Sequence, residues 1–146
     1  AEAGIWYTPL SADGSPTQLA TAGLLKATAV DRDGVLQLAW VAAEGLWHAS
    51  GSEAPVPQLV RAGVATEAPV ALGTGPGGIA HLVWVENGAL WNARSSDWSL
   101  SLAQLPSADV LSAAIAVDSR NHAHIAWIEQ PAAQEAPNGM VSLPKK

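Results

Sequence analysis

The feature of this sequence that most constrains its fold is a tryptophan that recurs at a nearly constant spacing. Trp40 and Trp84 are 44 residues apart, and Trp127 follows 43 residues after the second. The ten residues that end at each of them align without a gap, with a turn-like start and an apolar end. A period of about 40 to 45 residues is typical of a four-stranded propeller blade, so the sequence predicts an all-β chain with about three such repeats, a partial propeller.

Each repeat contains short apolar segments separated by turn residues. In the first complete repeat the pattern predicts four strands, at 26–30, 35–42, 46–50 and 56–61. The second of these strands is apolar on both faces, whereas a sheet with one wet face would alternate apolar and polar residues. We therefore expect antiparallel four-stranded sheets that are packed face to face.

The glycine-rich string at 73–78, Gly-Thr-Gly-Pro-Gly-Gly, matches the fingerprint of a dinucleotide-binding loop. Such a loop must lead into a helix whose amino terminus meets the pyrophosphate, but the residues at 79–85 have a strand pattern. Within the repeat this string aligns with the segments 31–34 and 118–121, and each of the three ends in Gly or Asn. These residue types tolerate a positive φ, so the string is interpreted as a hairpin turn.

The composition narrows the classes of function. The chain has 7 basic and 13 acidic residues, and the basic ones are scattered, so nucleic acid is not an expected partner. Apolar runs are short and interrupted, which predicts no membrane span. The absence of cysteine excludes disulfides and thiolate chemistry. The Ala-Glu-Ala start resembles the end left by signal cleavage, so an extracytoplasmic location (secreted, periplasmic or cell surface) is expected.

Short motifs within the repeat carry a family resemblance. The segment Ala93–Trp98 reads Ala-Arg-Ser-Ser-Asp-Trp, and weaker versions of it occur at 11–15 and 50–53. The segment 116–127 runs from Ala-Val-Asp to His-Ile-Ala-Trp. Together these motifs resemble the sialidase-type Asp-box (BNR) β-propeller repeat, over most of residues 1–130. The resemblance implies propeller blades; its motifs are structural and say little about activity.

The repeat divides the chain into a region of propeller-type blades, 1–130, and a tail, 131–146, which is a Pro/Ala-rich loop with a terminal strand. The blade region consists of a partial blade at 1–24, complete blades at 25–68 and 69–111, and a partial blade at 112–130. Such a set has two open flanks, and exposed apolar faces and strand edges are unfavourable in water. We expect further blades of the same chain, other protein subunits or self-association to cover them.

The resemblance to sialidases does not extend to their catalytic residues. Those enzymes use three arginines that bind a carboxylate, a Tyr–Glu nucleophile pair and an acid Asp. Here Arg32 and Arg120 lie in or beside turns, Arg94 lies beside the contracted box, and the single tyrosine is Tyr7. The set cannot be mapped residue by residue, so no catalytic residue is predicted.

A second tryptophan column, Trp6, Trp47 and Trp91, has two interpretations. One indole per repeat could stack on the apolar face of a sugar, as in a lectin-like propeller, and a glycan would then be the partner. The same indoles could instead fill the gap between blades.

A polar column consists of His81 and His124, with Gln37 in the first repeat. The two histidines could share a metal, but the glutamine favours a side chain that is hydrogen-bonded to a neighbouring strand. No metal and no cofactor is therefore predicted.

The predicted function is a non-enzymatic, extracytoplasmic scaffold or interaction protein, a subunit or fragment of a larger assembly. The alternative is a carbohydrate-binding propeller, with Trp6, Trp47 and Trp91 as the ligand-binding residues. A divergent sialidase-like glycosidase fragment is the third hypothesis.

Overall fold

The computed structural model describes residues 4–8, 16–51, 55–131, 134–135 and 141–142. Almost all regular structure within these residues is antiparallel β-strand, apart from one short 3-10 turn at Pro76–Gly78. The prediction of an all-β chain is therefore confirmed. The weaker Asp-box-like segments predicted from the sequence, at 11–15 and 50–53, lie wholly or partly outside the described residues.

The strands form a series of hairpins and sheets in chain order. The first hairpin consists of β1 (Ile5–Tyr7) and β2 (Thr17–Ala20). The first sheet consists of β3 (Leu24–Val30), β4 (Leu36–Ala42), β5 (Gly45–Gly51) and β6 (Val56–Ala62). The second sheet consists of β7 (Val70–Thr74), β8 (Ala80–Glu86), β9 (Ala89–Arg94) and β10 (Ala103–Leu105). The half-sheet consists of β11 (Val110–Val117) and β12 (Ala123–Glu129). A last short pair joins β13 (Gln134–Glu135) to β14 (Val141–Ser142).

Both four-stranded sheets are simple antiparallel meanders, in which each strand pairs with the next one along the chain. Their registers are equivalent, because Trp40 lies opposite Trp47 in the first sheet and Trp84 lies opposite Trp91 in the second. The expectation of antiparallel four-stranded sheets is confirmed. Within the described residues the sheets close into neither a barrel nor a propeller, so the propeller arrangement stays a prediction.

The hydrophobic core lies between the sheets, not within any one of them. The first hairpin covers one face of the first sheet, where Ile5 packs with Trp40. The first and second sheets enclose a cluster that includes Leu46 and Trp84, both without any exposed surface. The half-sheet covers the other face of the second sheet. Complete burial of such side chains stabilises each by roughly 1.5–3 kcal/mol, which explains why the second strands are apolar on both faces.

The first strands of successive sheets, β3, β7 and β11, contact each other in that order. Successive sheets therefore face one another with their first strands close together. This arrangement places the turn that follows each first strand beside the same turn of the next sheet.

These turns have the backbone that their residue types predict. Gly34, Gly78 and Asn121 have φ values of 77°, 74° and 62°. The glycine string 73–78 contains the 3-10 turn and leads directly into β8, with no helix at the place where a dinucleotide loop needs one. The interpretation of the string as a turn is confirmed.

Candidate interaction surface

The turn of the first sheet is held by an aspartate that caps it. The Oδ1 atom of Asp31 accepts hydrogen bonds from the backbone N–H groups of Asp33 and Val35, at 2.9 and 3.0 Å. Its Oδ2 atom accepts one from the side-chain amide of Gln37 at 3.2 Å. The amide oxygen of Gln37 accepts in turn from Nε2 of His48 at 2.6 Å, so the chain of bonds runs from the turn to β5.

The half-sheet repeats this arrangement at equivalent positions. The Oδ1 atom of Asp118 accepts from the backbone N–H groups of Arg120 and His122, at 2.8 and 3.0 Å. Its Oδ2 atom contacts Nε2 of His124 at 3.0 Å. The hydrogen bond from His124 and those from the two backbone groups lower the pKa of Asp118 to about 2. Two members of the polar column, Gln37 and His124, therefore contact the capping aspartate of their own repeat.

The second sheet departs from the pattern because Gly75 stands where the other two repeats have aspartate. A Cβ on Gly75 would collide with the Oδ1 atom of Asn121, which reaches in from the half-sheet. Asn121 donates from Nδ2 to the carbonyl oxygen of Pro76 at 3.0 Å, across the junction between the sheets. At the preceding junction the roles are reversed, since Asp31 supplies the polar side chain and faces Gly78, whose Cβ would lie 3.6 Å from Oδ2. Each junction thus holds one polar side chain opposite a glycine.

Two buried polar atoms at the second junction have no hydrogen-bond partner. They are Nε2 of His81 and Oδ1 of Asn121. Burial, and secondarily the charge of Arg94, lowers the pKa of His81, so its ring is neutral near pH 7. The unpaired Nε2 of His81 follows from the glycine at position 75, because an aspartate carboxylate is the partner of the equivalent side chain in the other two repeats.

The three tryptophans predicted as a ligand platform lie in three different sheets and have different surroundings. Trp6, in β1, is 60% exposed. Trp47 is half-buried and stacks on Trp40, with ring centroids 6.2 Å apart and the planes 5° from parallel. Trp91 is half-buried beneath the guanidinium of Arg61, whose Cζ lies 5.0 Å from the ring centroid. The three tryptophans therefore occupy equivalent positions in the repeat, but each has different surroundings.

An ion pair that the sequence did not predict joins the first and second sheets. Arg61 donates to both carboxylate oxygens of Glu86, at 2.8 and 3.2 Å. The indole Nε1 of Trp84 donates to the same carboxylate at 2.8 Å. Burial opposes ionisation of Glu86, but these hydrogen bonds and the charge of Arg61 outweigh it and lower the pKa of Glu86. The partners are 25 residues apart, and no local pattern marks them.

A cavity of about 240 Å³ lies where the first repeat lacks the equivalent carboxylate. In the second sheet and the half-sheet, Trp84 and Trp127 donate from Nε1 to Glu86 and Glu129. At the equivalent place in the first sheet stands Ala42, which lines the cavity together with Trp40, Trp47, Leu19 and Pro57. The Nε1 atoms of both Trp40 and Trp47 are buried without a hydrogen-bond partner.

The half-sheet leaves one face uncovered. This outer face consists of Ser112, Ala114, Ala116, His124, Ala126 and Ile128, all of them exposed. The equivalent face of the second sheet contains Val83 and Val85, which are buried beneath the half-sheet. Ile128, in the position of Val85, is 59% exposed. No described strand pairs with the free edge of β12.

Among the described residues, no group of three or more His, Asp or Glu side chains is arranged to hold a metal ion. No helix in the described part of the chain has the length and apolar character needed to cross a membrane. Searches against protein-family models, curated proteins and solved structures found no match to this chain. The candidate functional features are therefore the outer face with its free strand edge, and the cavity beside Trp40.

Proposed function

We propose that this chain is a non-enzymatic interaction module of propeller-type blades, which joins a larger assembly through the half-sheet. The observation that carries the proposal is the exposure of Ile128 and its neighbours on a face whose equivalents are buried in the two preceding sheets. An edge strand with free backbone groups beside an apolar face is the kind of surface on which another sheet docks. A location outside the cytoplasm remains a prediction from the sequence.

The partner that fits this surface is a β-sheet of the same kind. The outer face carries one large aliphatic side chain, Ile128, among small residues and His124, at positions equivalent to a face that another sheet covers in the second sheet. A helix would need a groove of matching curvature, whereas a packed sheet meets the face along its whole length.

The test is the mass of the protein as isolated from its native cells, measured under non-denaturing conditions. We expect an assembly well above 15.0 kDa. The substitution Ile128→Lys should abolish it, because a charged side chain would be buried at the contact. The matched control is Leu100→Lys, at an 87% exposed apolar residue outside the half-sheet, which should leave the assembly intact. A lone 15.0 kDa species, or an assembly that tolerates Ile128→Lys, would refute the proposal.

A second candidate function is carbohydrate binding, which the cavity beside Trp40 favours. Its lining combines the aromatic residues Trp40 and Trp47 with the polar residues Thr21 and Glu44. Its volume is below the roughly 300–1,000 Å³ of pockets for drug-sized ligands, so a single sugar ring is the expected size. An indole ring of the lining would stack on the apolar face of the sugar, and the Glu44 carboxylate would accept a hydrogen bond from a hydroxyl.

The substitution Ala42→Glu separates binding from folding. It supplies the carboxylate present in the other repeats and fills the cavity, so we expect loss of glycan binding with an unchanged or raised melting temperature. The control Ala62→Glu, at an exposed residue of β6, should leave binding unchanged. Failure of the wild-type chain to bind any member of a glycan array would eliminate this candidate.

A further inference from the structure

We propose that the partner of the half-sheet is the first hairpin of a second copy of this chain, joined head to tail. This inference rests on the proposed interaction function and specifies its partner. Strands β11 and β12 would then be the first two strands of a four-stranded sheet, and β1 and β2 of the other copy would be its last two.

The register shifts of the two outer strand pairs match shifts in the first sheet, whereas the second sheet has none. The pairing of β1 with β2 shifts register between Ile5 and Trp6, and that of β5 with β6 shifts between Leu46 and Trp47. In this respect the first hairpin resembles the third and fourth strands of the first sheet. Similarly, the pairing of β11 with β12 shifts near the start of β11, as that of β3 with β4 does near the start of β3. The half-sheet has the form of a first and a second strand.

The tryptophan columns set the register of the missing pairing. In both complete sheets a tryptophan of the second strand lies opposite a tryptophan of the third. The half-sheet carries Trp127 and the first hairpin carries Trp6, which are 38% and 60% exposed. Placing Trp127 of one copy opposite Trp6 of the other restores the pair. The same register sets Ile128 opposite Ile5, as Val41 lies opposite Leu46.

The faces that this pairing would bring together are both apolar and exposed. In the first sheet, Leu25 and Val30 of β3 lie opposite Trp40 and Leu36, on the face that the first hairpin covers only in part. Leu25 is 49% exposed and Val30 is 63% exposed. The outer face of the half-sheet from a second copy would lie over them, as the equivalent face of the first sheet lies over the second sheet.

At the contact between the two copies, the turns would place a polar side chain opposite a glycine, as they do at the two junctions within one chain. The half-sheet presents Asp118, and the turn that it would face in the other copy ends at Gly34. A Cβ on Gly34 has no atom within 4 Å, so the space beside it is open. The junction would hold one carboxylate opposite a glycine, as Asp31 stands opposite Gly78.

The expected product is a closed pair of copies. Each copy contributes two complete four-stranded sheets, and two more form at the junctions, which makes six. Closed propellers usually contain four to eight such sheets. The described residues of one copy complete only two, fewer than a closed propeller contains.

The experiment uses the purified full chain alone and single cysteines, since the sequence has no cysteine of its own. In the expected register Tyr7 lies opposite Ala126, and both tryptophans are kept. Tyr7→Cys and Ala126→Cys proteins are mixed and treated with oxidant or a short bismaleimide, and the mass is measured. The matched control is Thr8→Cys mixed with Ala126→Cys, because neighbouring residues of a strand point to opposite faces. Non-denaturing mass measurement of the untreated wild-type chain accompanies both mixtures.

We expect the wild-type chain to double its 15.0 kDa mass, the first mixture to crosslink, and the Thr8 control not to crosslink. Trp6→Ala should return the protein to a single-chain mass, and its circular dichroism spectrum shows whether the chain stays folded. A purified chain that stays single at micromolar concentration overturns the self-pairing. If the assembly from native cells is then still lost with Ile128→Lys, the interaction function stands with a different partner. A dimer that crosslinks equally in both mixtures, or in neither, also overturns the proposed register.

Discussion

Trp84 and Trp127 occupy the same place in two repeats, yet their surroundings differ. Both donate their indole N–H to a glutamate two residues further on, at 2.8 and 3.1 Å. Trp84 has no exposed surface, whereas Trp127 is 38% exposed. The residue type and the local hydrogen bond are the same, so the difference comes from the neighbouring strands. The burial of a position in this fold is set by the sheets on either side of it.

The largest effect on stability is expected from truncating Trp84, the buried tryptophan of the two. Trp84→Ala should lower the free energy of unfolding by about 3–5 kcal/mol, because a large cavity would remain in the core. Trp127→Ala should cost much less in the single chain, since its ring is already partly hydrated. Urea unfolding measures both. Equal losses of unfolding free energy would mean that Trp127 is buried in solution, as it would be within an assembly. Repeating the measurement at lower protein concentration would then separate the effect on folding from the effect on assembly.

A smaller effect is expected from pH, through the covered histidine of the first sheet. His48 is 5% exposed, and burial lowers its pKa from 6.5 to about 4. The unfolded chain binds a proton below pH 6.5 and the native chain does not until about pH 4. Stability should therefore fall as pH decreases through this window, by on the order of 3 kcal/mol. Urea unfolding across this range measures the effect, and His48→Gln should flatten the curve between pH 4 and 6.5.

The contact between the turn of the second sheet and the turn of the half-sheet offers a double-mutant test. Gly75→Asp should destabilise the chain, because its side chain collides with Asn121. Asn121→Gly should also destabilise it, since the bond to Pro76 is lost. The double variant copies the junction of Asp31 with Gly78 and gives His81 an acceptor, so we expect a coupling energy of about 1–3 kcal/mol in its favour. Additive losses in chemical unfolding would show that the two junctions are not equivalent.

The smallest effect is expected from the ion pair between the first and second sheets. Arg61→Ala removes the contacts with Glu86 and the ring of Trp91, and we expect a loss of about 1 kcal/mol, because the pair is partly hydrated. The lowered pKa of Glu86 means that this contribution is present near neutral pH and is lost on acidification. Arg120→Ala, in an exposed turn, serves as the control. A loss as large as that of Trp84→Ala would mean that the sheets are joined mainly by charge.

The sequence was sufficient to predict the features that repeat. The strands, the pairing of apolar faces and the positive φ of Gly34 and Asn121 follow from local pattern and residue type. The contacts between sheets were not predictable in this way. Arg61 and Glu86 belong to different repeats, and their meeting depends on how two sheets are set against each other.

The site residues show the same limit. Trp6, Trp47 and Trp91 share a column, but an exposed edge, a stacked partner and a guanidinium surround them in turn. The position of each tryptophan in its strand follows from the local sequence, whereas its surroundings depend on the elements packed against that strand. The absence of a carboxylate at Ala42 was visible in the sequence, but it marks a cavity only once the indole bonds of the other repeats are seen.

The polar side chain and the glycine exchange positions between the two junctions. Each repeat therefore fits only certain neighbours. Two tandem copies of the second repeat would place Gly75 against Gly78 and leave a gap with no polar group. Two copies of the half-sheet's turn would crowd Asp118 against Asn121. Only the first repeat, with Asp31 at one side and Gly34 at the other, is compatible with itself. The repeats are therefore not interchangeable units, and an array designed from this chain should multiply the first repeat alone.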